Sequence, residues 1–180
     1  MSQYQFFTCW EVESTPEEVY RILEKPEDLP RWWPSVYLDV DILETGQPGG
    51  VGKRVTLFTK GWLPYTLRWE FVVSEVSFPT GFKLKACGDF EGTGVWHFQA
   101  VPGTGRCEVT YDWRISAEKP LLKYLSFLMR PLFSANHRWA MRKGLQSLDL
   151  ELKRRHAATE EERKLVPPPP GPTFPHNLRN

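Results

Sequence analysis

Four charged residues on two strand-like segments are the first candidates for acid/base chemistry. Arg68 and Glu70 are two positions apart, as are Asp112 and Arg114, so each pair lies on one side of its strand. A carboxylate beside a guanidinium could take part in proton transfer. Opposite charges on the solvent face of a strand pair are also ordinary cross-strand partners, each worth roughly a few tenths of a kcal/mol. We therefore predict a surface role for these four residues.

His137 is the histidine whose position best fits a role in a site. It lies in a segment, Pro131 to His156, whose apolar residues recur every three or four positions and form one stripe of a helix. A histidine at the start of this stripe, beside Asn136, either makes a hydrogen bond within the core or contacts a ligand, and both interpretations stay open. Gly144 interrupts the stripe where alanine would favour the helix by about 1 kcal/mol, which indicates close approach by a neighbouring group.

The sequence has none of the motifs of common catalytic or metal sites. There is no GxSxG, HExxH, CxxC or Walker loop, and the glycine-rich stretch at 49–52 lacks the Lys-Ser/Thr pair of a phosphate loop. The four histidines are far apart in the sequence: His97, His137, His156 and His176. We therefore expect no metal site and no cofactor, and we assign no catalytic residue. His97 is expected on the solvent side of its strand.

Composition limits the partners and the compartment. The 180 residues carry 23 basic and 22 acidic side chains, and a net charge of +1 gives no field for binding nucleic acid. Eight Trp, six Tyr and eleven Phe suit either a thick core or the wall of a cavity for an apolar ligand. Three cysteines without a CxxC pair fit reduced thiols, and neither a secretory signal nor an 18-residue apolar run is visible. We expect a cytoplasmic protein.

The elements that must position these residues are strands, with helices at both ends. The segment Tyr4 to Glu13 reads as a first strand, a helix begins near Pro16, and a short turn at 27–31 precedes two tryptophans. Six alternating segments follow, and the short Gly- and Pro-containing turns between them imply antiparallel neighbours in a meander. These predicted strands are Val36 to Leu43, Val51 to Lys60, Tyr65 to Phe78, Gly81 to Asp89, Gly92 to Val101 and Cys107 to Ala117.

Two segments near the C-terminus differ from the rest of the chain. Pro120 to Phe133 is apolar on nearly all sides and flanked by basic residues, so it either covers the open end of the sheet, rests on a membrane surface or packs in the core. The tail at 157–180 is charged and then proline-rich, without periodicity. We expect one domain at 1–156 and a disordered tail at 157–180, in which a PxxP-like segment could bind a partner.

The order of one strand, two small helices, six strands and one long helix resembles the START-like superfamily, also called the Bet v 1-like, SRPBCC or helix-grip fold. Over Tyr4 to Arg155 the chain is similar to the polyketide cyclase/dehydrase and lipid transport branch. The similarity lies in WEV at 10–12, PEEVY at 16–20, PE-LP at 26–30, WWP at 32–34, GDFEG at 88–92 and VTYDW at 109–113. It implies an α+β fold in which a curved seven-stranded antiparallel sheet wraps around the long C-terminal helix, with two short helices after the first strand.

The resemblance also implies a deep apolar cavity between the sheet and the last helix. We expect ten residues at this site: Trp69, Phe71, Trp96, Phe98, Tyr111 and Trp113 on the sheet, His137 and Met141 on the helix, and Trp32 and Trp33 near the mouth. We predict that the protein binds or carries a small hydrophobic ligand, such as a lipid, an aromatic or a polyketide-like compound. Two alternatives stay open. One is a polyketide cyclase, aromatase or dehydratase with His137 as base and Tyr111 as acid, and the other is a protein-interaction module.

Overall fold

The chain folds as a curved antiparallel sheet with a long helix against one face. The structure, a computed structural model, describes residues 2–89, 91–117 and 126–173. The strands follow the spatial order β1-β7-β6-β5-β4-β3-β2, and every neighbouring pair is antiparallel. They are β1 Ser2–Val12, β2 Tyr37–Glu44, β3 Arg54–Lys60, β4 Thr66–Ser77, β5 Gly81–Gly88, β6 Glu91–Val101 and β7 Arg106–Ala117. The predicted seven-stranded helix-grip fold is confirmed.

Helices occur in two parts of the chain, between β1 and β2 and after β7. Within the described residues they are α1 Pro16–Leu23, a 3-10 turn Pro26–Asp28, α2 Leu29–Trp32, α3 Ser126–His156 and α4 Glu160–Leu165. Helices α1 and α2 lie in the connection between β1 and β2, as the sequence predicted. Helix α3 is 31 residues long, which corresponds to about 46 Å at 1.5 Å per residue. It is therefore long enough to cross the whole sheet.

Helix α1 begins where its capping residues predict. The hydroxyl Oγ1 of Thr15 accepts a hydrogen bond of 3.2 Å from the backbone N–H of Glu18, and a proline occupies the first turn. The hydroxyl of the preceding residue, Ser14, donates a 2.5 Å hydrogen bond to Oε2 of Glu18. Val19 and Ile22 are fully buried. The polar start of α1 fixes its first turn while its apolar face packs into the core.

The long helix does not begin at Pro131, contrary to the sequence prediction. Helix α3 is already formed at Ser126 and continues through Pro131, which is exposed. A proline inside a helix removes one backbone hydrogen bond, but its fixed φ near −65° is itself helical. Pro131 therefore lies inside α3 and is not its first residue.

Two contacts attach α2 and the residues after it to α3. The ring of Trp33 packs against Gly144, so the predicted close approach at this glycine is confirmed. On the same side, the guanidinium of Arg31 donates to both carboxylate oxygens of Glu151, at 2.8 and 2.9 Å. The carboxylate of Glu151 is buried. Its partner lies 120 residues away, so periodicity along the helix carries no sign of the pair.

The segment after α3 contains more structure than the predicted disordered tail. Glu160–Leu165 form helix α4, in which the Thr159 hydroxyl caps the backbone N–H of Glu162 at 3.1 Å. The guanidinium of Arg154 donates to the carbonyl of Pro167 and so joins this segment to α3. Helix α4 has no buried residue, and residues 166–173 contain no helix or strand. The domain boundary at 156 stays a prediction.

Candidate functional site

A cavity of about 520 Å3 lies between the sheet and α3. Five strands, the loop between β3 and β4, and helix α3 contribute to its wall, together with Trp33 and Val36 from the α2–β2 connection. A volume of this size accommodates a small organic molecule. The wall is largely aromatic and aliphatic, which suits an apolar ligand.

Six of the ten residues predicted for the site line this cavity. They are Trp33, Trp69, Tyr111, Trp113, His137 and Met141. The other four are Trp32, Phe71, Trp96 and Phe98, and all of them lie in the packed core outside the cavity wall. Trp96 illustrates the reason: its ring is stacked 4.1 Å behind that of Tyr111 and meets Trp10 at 5.8 Å on another side. Strand alternation selects a buried face but does not distinguish the cavity wall from the core around it.

The sheet side of the cavity is a layer of interlocked aromatic rings. Tyr111 and Trp113 are stacked with centroids 5.7 Å apart and planes 18° apart. Trp69 packs against Trp113 at 5.7 Å, and its indole N–H donates a 3.0 Å hydrogen bond to the buried hydroxyl of Thr59. Because this hydrogen bond and the ring contacts fix the indole, the wall offers a preformed surface on which a planar ligand could stack.

His137 lies on the helix side of the cavity and is held by stacking. Its ring packs on Phe6 with centroids 4.4 Å apart and planes 22° apart. Its Nε2 is buried and has no hydrogen-bond partner among the described residues. Burial lowers the pKa of His137 from 6.5 to about 4, so the imidazole is neutral at pH 7. A neutral imidazole can accept or donate one hydrogen bond at such a nitrogen, depending on its tautomer.

Asn136, next to His137, holds the loop between β3 and β4 against α3. Its side-chain Oδ1 accepts hydrogen bonds from the backbone N–H groups of Trp62, at 2.9 Å, and Leu63, at 3.4 Å. A Cβ on Gly61 would lie 2.1 Å from the same oxygen, so only glycine allows this contact. The loop residues Gly61 and Tyr65 both line the cavity. Asn136 therefore shapes the cavity indirectly, by fixing part of its wall.

Four tyrosines line the cavity, and two of them, Tyr37 and Tyr111, are the most strongly affected by burial. Tyr37 and Tyr111 both line it, and burial raises the pKa of each phenol well above its ordinary value of 10. Burial is the main cause for both, and the charge of an ionised Tyr37 would raise the pKa of Tyr111 further. Both are neutral at pH 7 and keep their protons as hydrogen-bond donors.

The charged residues that first suggested acid/base chemistry lie on the other face of the sheet. Glu70 accepts hydrogen bonds from Arg54 at 3.0 and 3.2 Å, and Arg114 donates to Asp112 at 2.7 and 3.0 Å. The guanidinium of Arg68 lies 4.4 Å from the centre of the Phe58 ring. None of these groups lines the cavity, and the predicted surface role is confirmed. His97 is exposed, also as predicted.

Several wall residues were missed by the sequence prediction. The most informative are Tyr4, Phe6, Tyr37, Thr59, Lys60 and Asn136. Tyr4 and Phe6 alternate with Trp10 on one side of β1, so extending the alternation rule to the first strand would have found them. Tyr37 stands at the start of an edge strand, where alternation is weak. In the described ranges, no three His, Cys, Asp or Glu side chains come together as metal ligands.

A curved antiparallel sheet that closes on a long C-terminal helix, with an apolar cavity between them, defines a helix-grip protein of the START-like class. Residues 10–153 match the sequence model of the family described as polyketide cyclase/dehydrase and lipid transport. This span is well over half of the chain, and the protein belongs to that family. A comparison with curated protein sequences gives no match.

Solved structures with the same fold include both enzymes and other START-like proteins. The Zhui aromatase/cyclase from Streptomyces sp. R1128 has a TM-score of 0.71 at 15% identity, covering 87% of this chain and 98% of its own. A START superfamily protein from Mycobacterium smegmatis has a TM-score of 0.56 at 16% identity, covering 76% and 97%. A norcoclaurine synthase from Thalictrum flavum has a TM-score of 0.56 at 16% identity, covering 84% and 97%. At these identities the similarity shows a shared fold.

The segment Pro120 to Phe133, for which a contact with a membrane surface is predicted, lies partly outside the described residues, since these resume at 126. Phe133 is described, and it lines the cavity, with its ring edge-on to Tyr4 at 6.1 Å. Across the described part of the chain, no helix has the length and apolarity needed to cross a bilayer.

Proposed function

We propose that this protein binds a small, uncharged hydrophobic ligand in the cavity between the sheet and α3, and that it acts as a carrier. The observation that carries the proposal is the cavity itself, about 520 Å3 in volume and walled largely by aromatic and aliphatic side chains. Native cores are packed with few voids larger than a water molecule, so a space of this size calls for an occupant.

The chemistry of the wall favours an uncharged ligand. Lys60 and Asp89 are the charged residues among those that line the cavity, and each already interacts with a partner. A ligand with its own buried charge would need a new partner, because burying an unpaired charge costs several kcal/mol. An uncharged aromatic or aliphatic compound avoids this cost and gains from removing apolar surface from water.

The enzyme alternative has one observation in its favour. His137 and Tyr111, the base and acid considered for a cyclase or dehydratase, both lie in the cavity wall, and relatives of the fold include an aromatase/cyclase. A general base or acid works best with a pKa near the operating pH. Burial moves the two pKa values the wrong way, lowering His137 to about 4 and raising Tyr111 well above 10. For this reason we prefer the carrier over proton-transfer catalysis.

We further propose that the protein works in a reducing compartment, the cytoplasm. The support comes from its cysteines: Cys9 and Cys87 are exposed free thiols, and Cys107 is a buried one. Exposed unpaired thiols fit an environment in which disulfides do not form readily. A contact between Pro120 to Phe133 and a membrane, through which a carrier could take up or release a lipid, stays a prediction.

Filling the cavity tests the carrier function. Ala140 is small and lines the cavity, so Ala140→Trp would place an indole inside it. Gln146→Trp puts the same ring on the exposed face of the same helix and is the matched control. The probe is N-phenyl-1-naphthylamine, an uncharged dye that fluoresces in apolar surroundings. The dye itself is excited, and not the tryptophans, because both variants add a tryptophan. We expect saturable binding to the parent and to Gln146→Trp, and at least about tenfold weaker binding to Ala140→Trp, equivalent to about 1.4 kcal/mol.

Melting curves of both variants establish that they are folded. Absence of saturable dye binding to the parent would remove the proposed function. Equal binding to folded Ala140→Trp and Gln146→Trp would show that the dye occupies some other surface, and would contradict the assignment of the cavity.

A further inference from the structure

Tyr111 presents its hydroxyl at a fixed point of the cavity wall. Its ring is stacked against Trp96 at 4.1 Å and Trp113 at 5.7 Å, and the residue is only 8% exposed. The hydroxyl lies over Gly94, where a Cβ would come within 2.8 Å of the phenol oxygen. The absence of a side chain at Gly94 thus makes room for this hydroxyl. Among the described residues the hydroxyl has no hydrogen-bond partner.

Tyr37 brings a second hydroxyl to the same cavity from the other edge of the sheet. Its ring meets Trp33 edge-on at 5.1 Å, and Trp33 is itself pressed against Gly144. The Tyr37 hydroxyl likewise has no hydrogen-bond partner in the described part of the chain. Although β2 and β7 are far apart in the strand order, the curvature of the sheet brings their tyrosines to one cavity.

Two fixed donors without protein partners need an acceptor from elsewhere. Buried polar groups in proteins are almost always hydrogen-bonded, to protein, to water or to a ligand. A carbonyl oxygen has two lone pairs and accepts two O–H donors at once. The neutral phenols offer no positive charge to balance a carboxylate, whose transfer into this apolar wall would be costly.

We propose that the hydroxyls of Tyr37 and Tyr111 together bind one carbonyl oxygen, and that the ligand is an uncharged aromatic ketone or a similar carbonyl compound. This inference rests on the proposed function and specifies the class of its ligand. The aromatic wall contacts the rings of the ligand, and the tyrosine pair fixes which end carries the oxygen.

A matched set of small ligands separates this inference from the carrier function. 2-Acetylnaphthalene has a carbonyl group where 2-ethylnaphthalene has a methylene group. The third compound, 2-naphthoic acid, carries a carboxylate. Affinities are measured by displacement of N-phenyl-1-naphthylamine from the parent, Tyr37→Phe, Tyr111→Phe and the double variant. Tyr20→Phe is the control, because Tyr20 is a buried tyrosine that does not line the cavity.

We expect each cavity variant to lower the acetyl-to-ethyl affinity ratio about three- to tenfold, as for one lost hydrogen bond. The ratio in Tyr20→Phe should equal that of the parent. Because both hydroxyls meet one oxygen, the two changes should be non-additive in the double variant. The 13C carbonyl signal of labelled 2-acetylnaphthalene should shift on binding to the parent and shift less in each Phe variant.

Unchanged affinity for 2-ethylnaphthalene shows that a variant keeps its fold and cavity. Equal acetyl-to-ethyl ratios in the parent and both Phe variants would overturn the inference while leaving the carrier function intact. Tightest binding of 2-naphthoic acid by the parent would also overturn it, in favour of an anionic ligand. Failure of all three compounds to displace the dye from the parent would instead remove the proposed function itself.

Discussion

The ring of Trp33 lies so close to Gly144 that a Cβ on this glycine would fall 2.3 Å from Cζ2 of the indole. Trp33 also meets Trp10 at 5.8 Å and Tyr37 at 5.1 Å, and it lines the cavity. A single ring thus joins the end of α2, the first strand, the long helix and the cavity wall. The ring can pack this close to α3 because Gly144 has no side chain.

The first prediction concerns Gly144→Ala. Alanine alone would favour the helix by about 1 kcal/mol, but its methyl group would collide with a buried ring that packing holds in place. We expect the collision to prevail and the free energy of unfolding to fall by about 1 to 3 kcal/mol. Urea unfolding at pH 7 measures it. In a Trp33→Phe background the smaller ring leaves space, so the same alanine should be neutral or stabilising there. A stabilising Gly144→Ala in the parent would contradict the contact.

The second prediction concerns the buried carboxylate of Glu151, which is 3% exposed. Burial alone would raise its pKa, but hydrogen bonds from Arg31 and Arg155 outweigh this effect and lower the pKa. Glu151→Gln should therefore cost about 1 to 3 kcal/mol at pH 7, because it removes a buried carboxylate from its two half-exposed arginine partners, whose charges water can partly solvate. The matched control is Glu75→Gln, whose exposed pair with Lys83 should be worth at most about 1 kcal/mol. Equal losses in the two variants would show that the Glu151 pair has no special role.

The third prediction is a pH dependence from His137. Its pKa in the folded protein, about 4, lies below the value of 6.5 that it has when unfolded. The unfolded chain therefore binds the extra proton between these values, and stability is lost as the pH falls from 6.5 to 4, by roughly 3 kcal/mol at most. His137→Phe should lose less stability than the parent between pH 7 and pH 4.5, whereas His97→Gln, on the exposed face, should follow the parent. Identical pH profiles for the parent and His137→Phe would contradict the burial of this ring.

The fourth prediction is that deleting 159–180 changes the melting temperature by less than about 4 °C. Helix α4 buries none of its residues, and Leu165 is 81% exposed. A loss of 1 kcal/mol lowers the melting temperature of a protein of this size by about 2 to 4 °C, and the removed contacts, such as that of Arg154 with Pro167, are exposed. Calorimetry of the truncated chain provides the measurement. A fall of ten degrees or more would mean that the segment packs on the domain.

Much of the fold could be predicted because its signals are local. Alternation along each strand and the short turns between strands predicted the seven strands, and the start of α1 near Pro16 was predicted as well. Pro131 was misinterpreted because a proline is more often found at a helix start than inside one, and only tertiary packing shows that the helix continues. The Arg31 to Glu151 pair was missed because 120 residues separate its members.

The site could be predicted only in part, for a related reason. Trp69 and Phe71 follow the same alternation on β4, yet only Trp69 borders the cavity. Hydrophobicity identifies the inner face, whereas the border between the cavity and the solid core depends on sheet curvature and on how neighbouring rings stack. Asn136 was noticed as unusual in an apolar stripe, but its loop contacts at Trp62 and Leu63 follow from the packing of α3 on the sheet.

The most direct test of the account is to locate a bound ligand by NMR. The chain has three methionines, and Met141 lines the cavity. In protein labelled with 13C at the methionine methyl groups, Met141→Leu assigns the Met141 signal by its disappearance. With N-phenyl-1-naphthylamine bound, we predict intermolecular NOEs between the aromatic protons of the dye and the Met141 methyl group. Saturable dye binding that gives no NOE to this methyl group would contradict a ligand site between the sheet and α3.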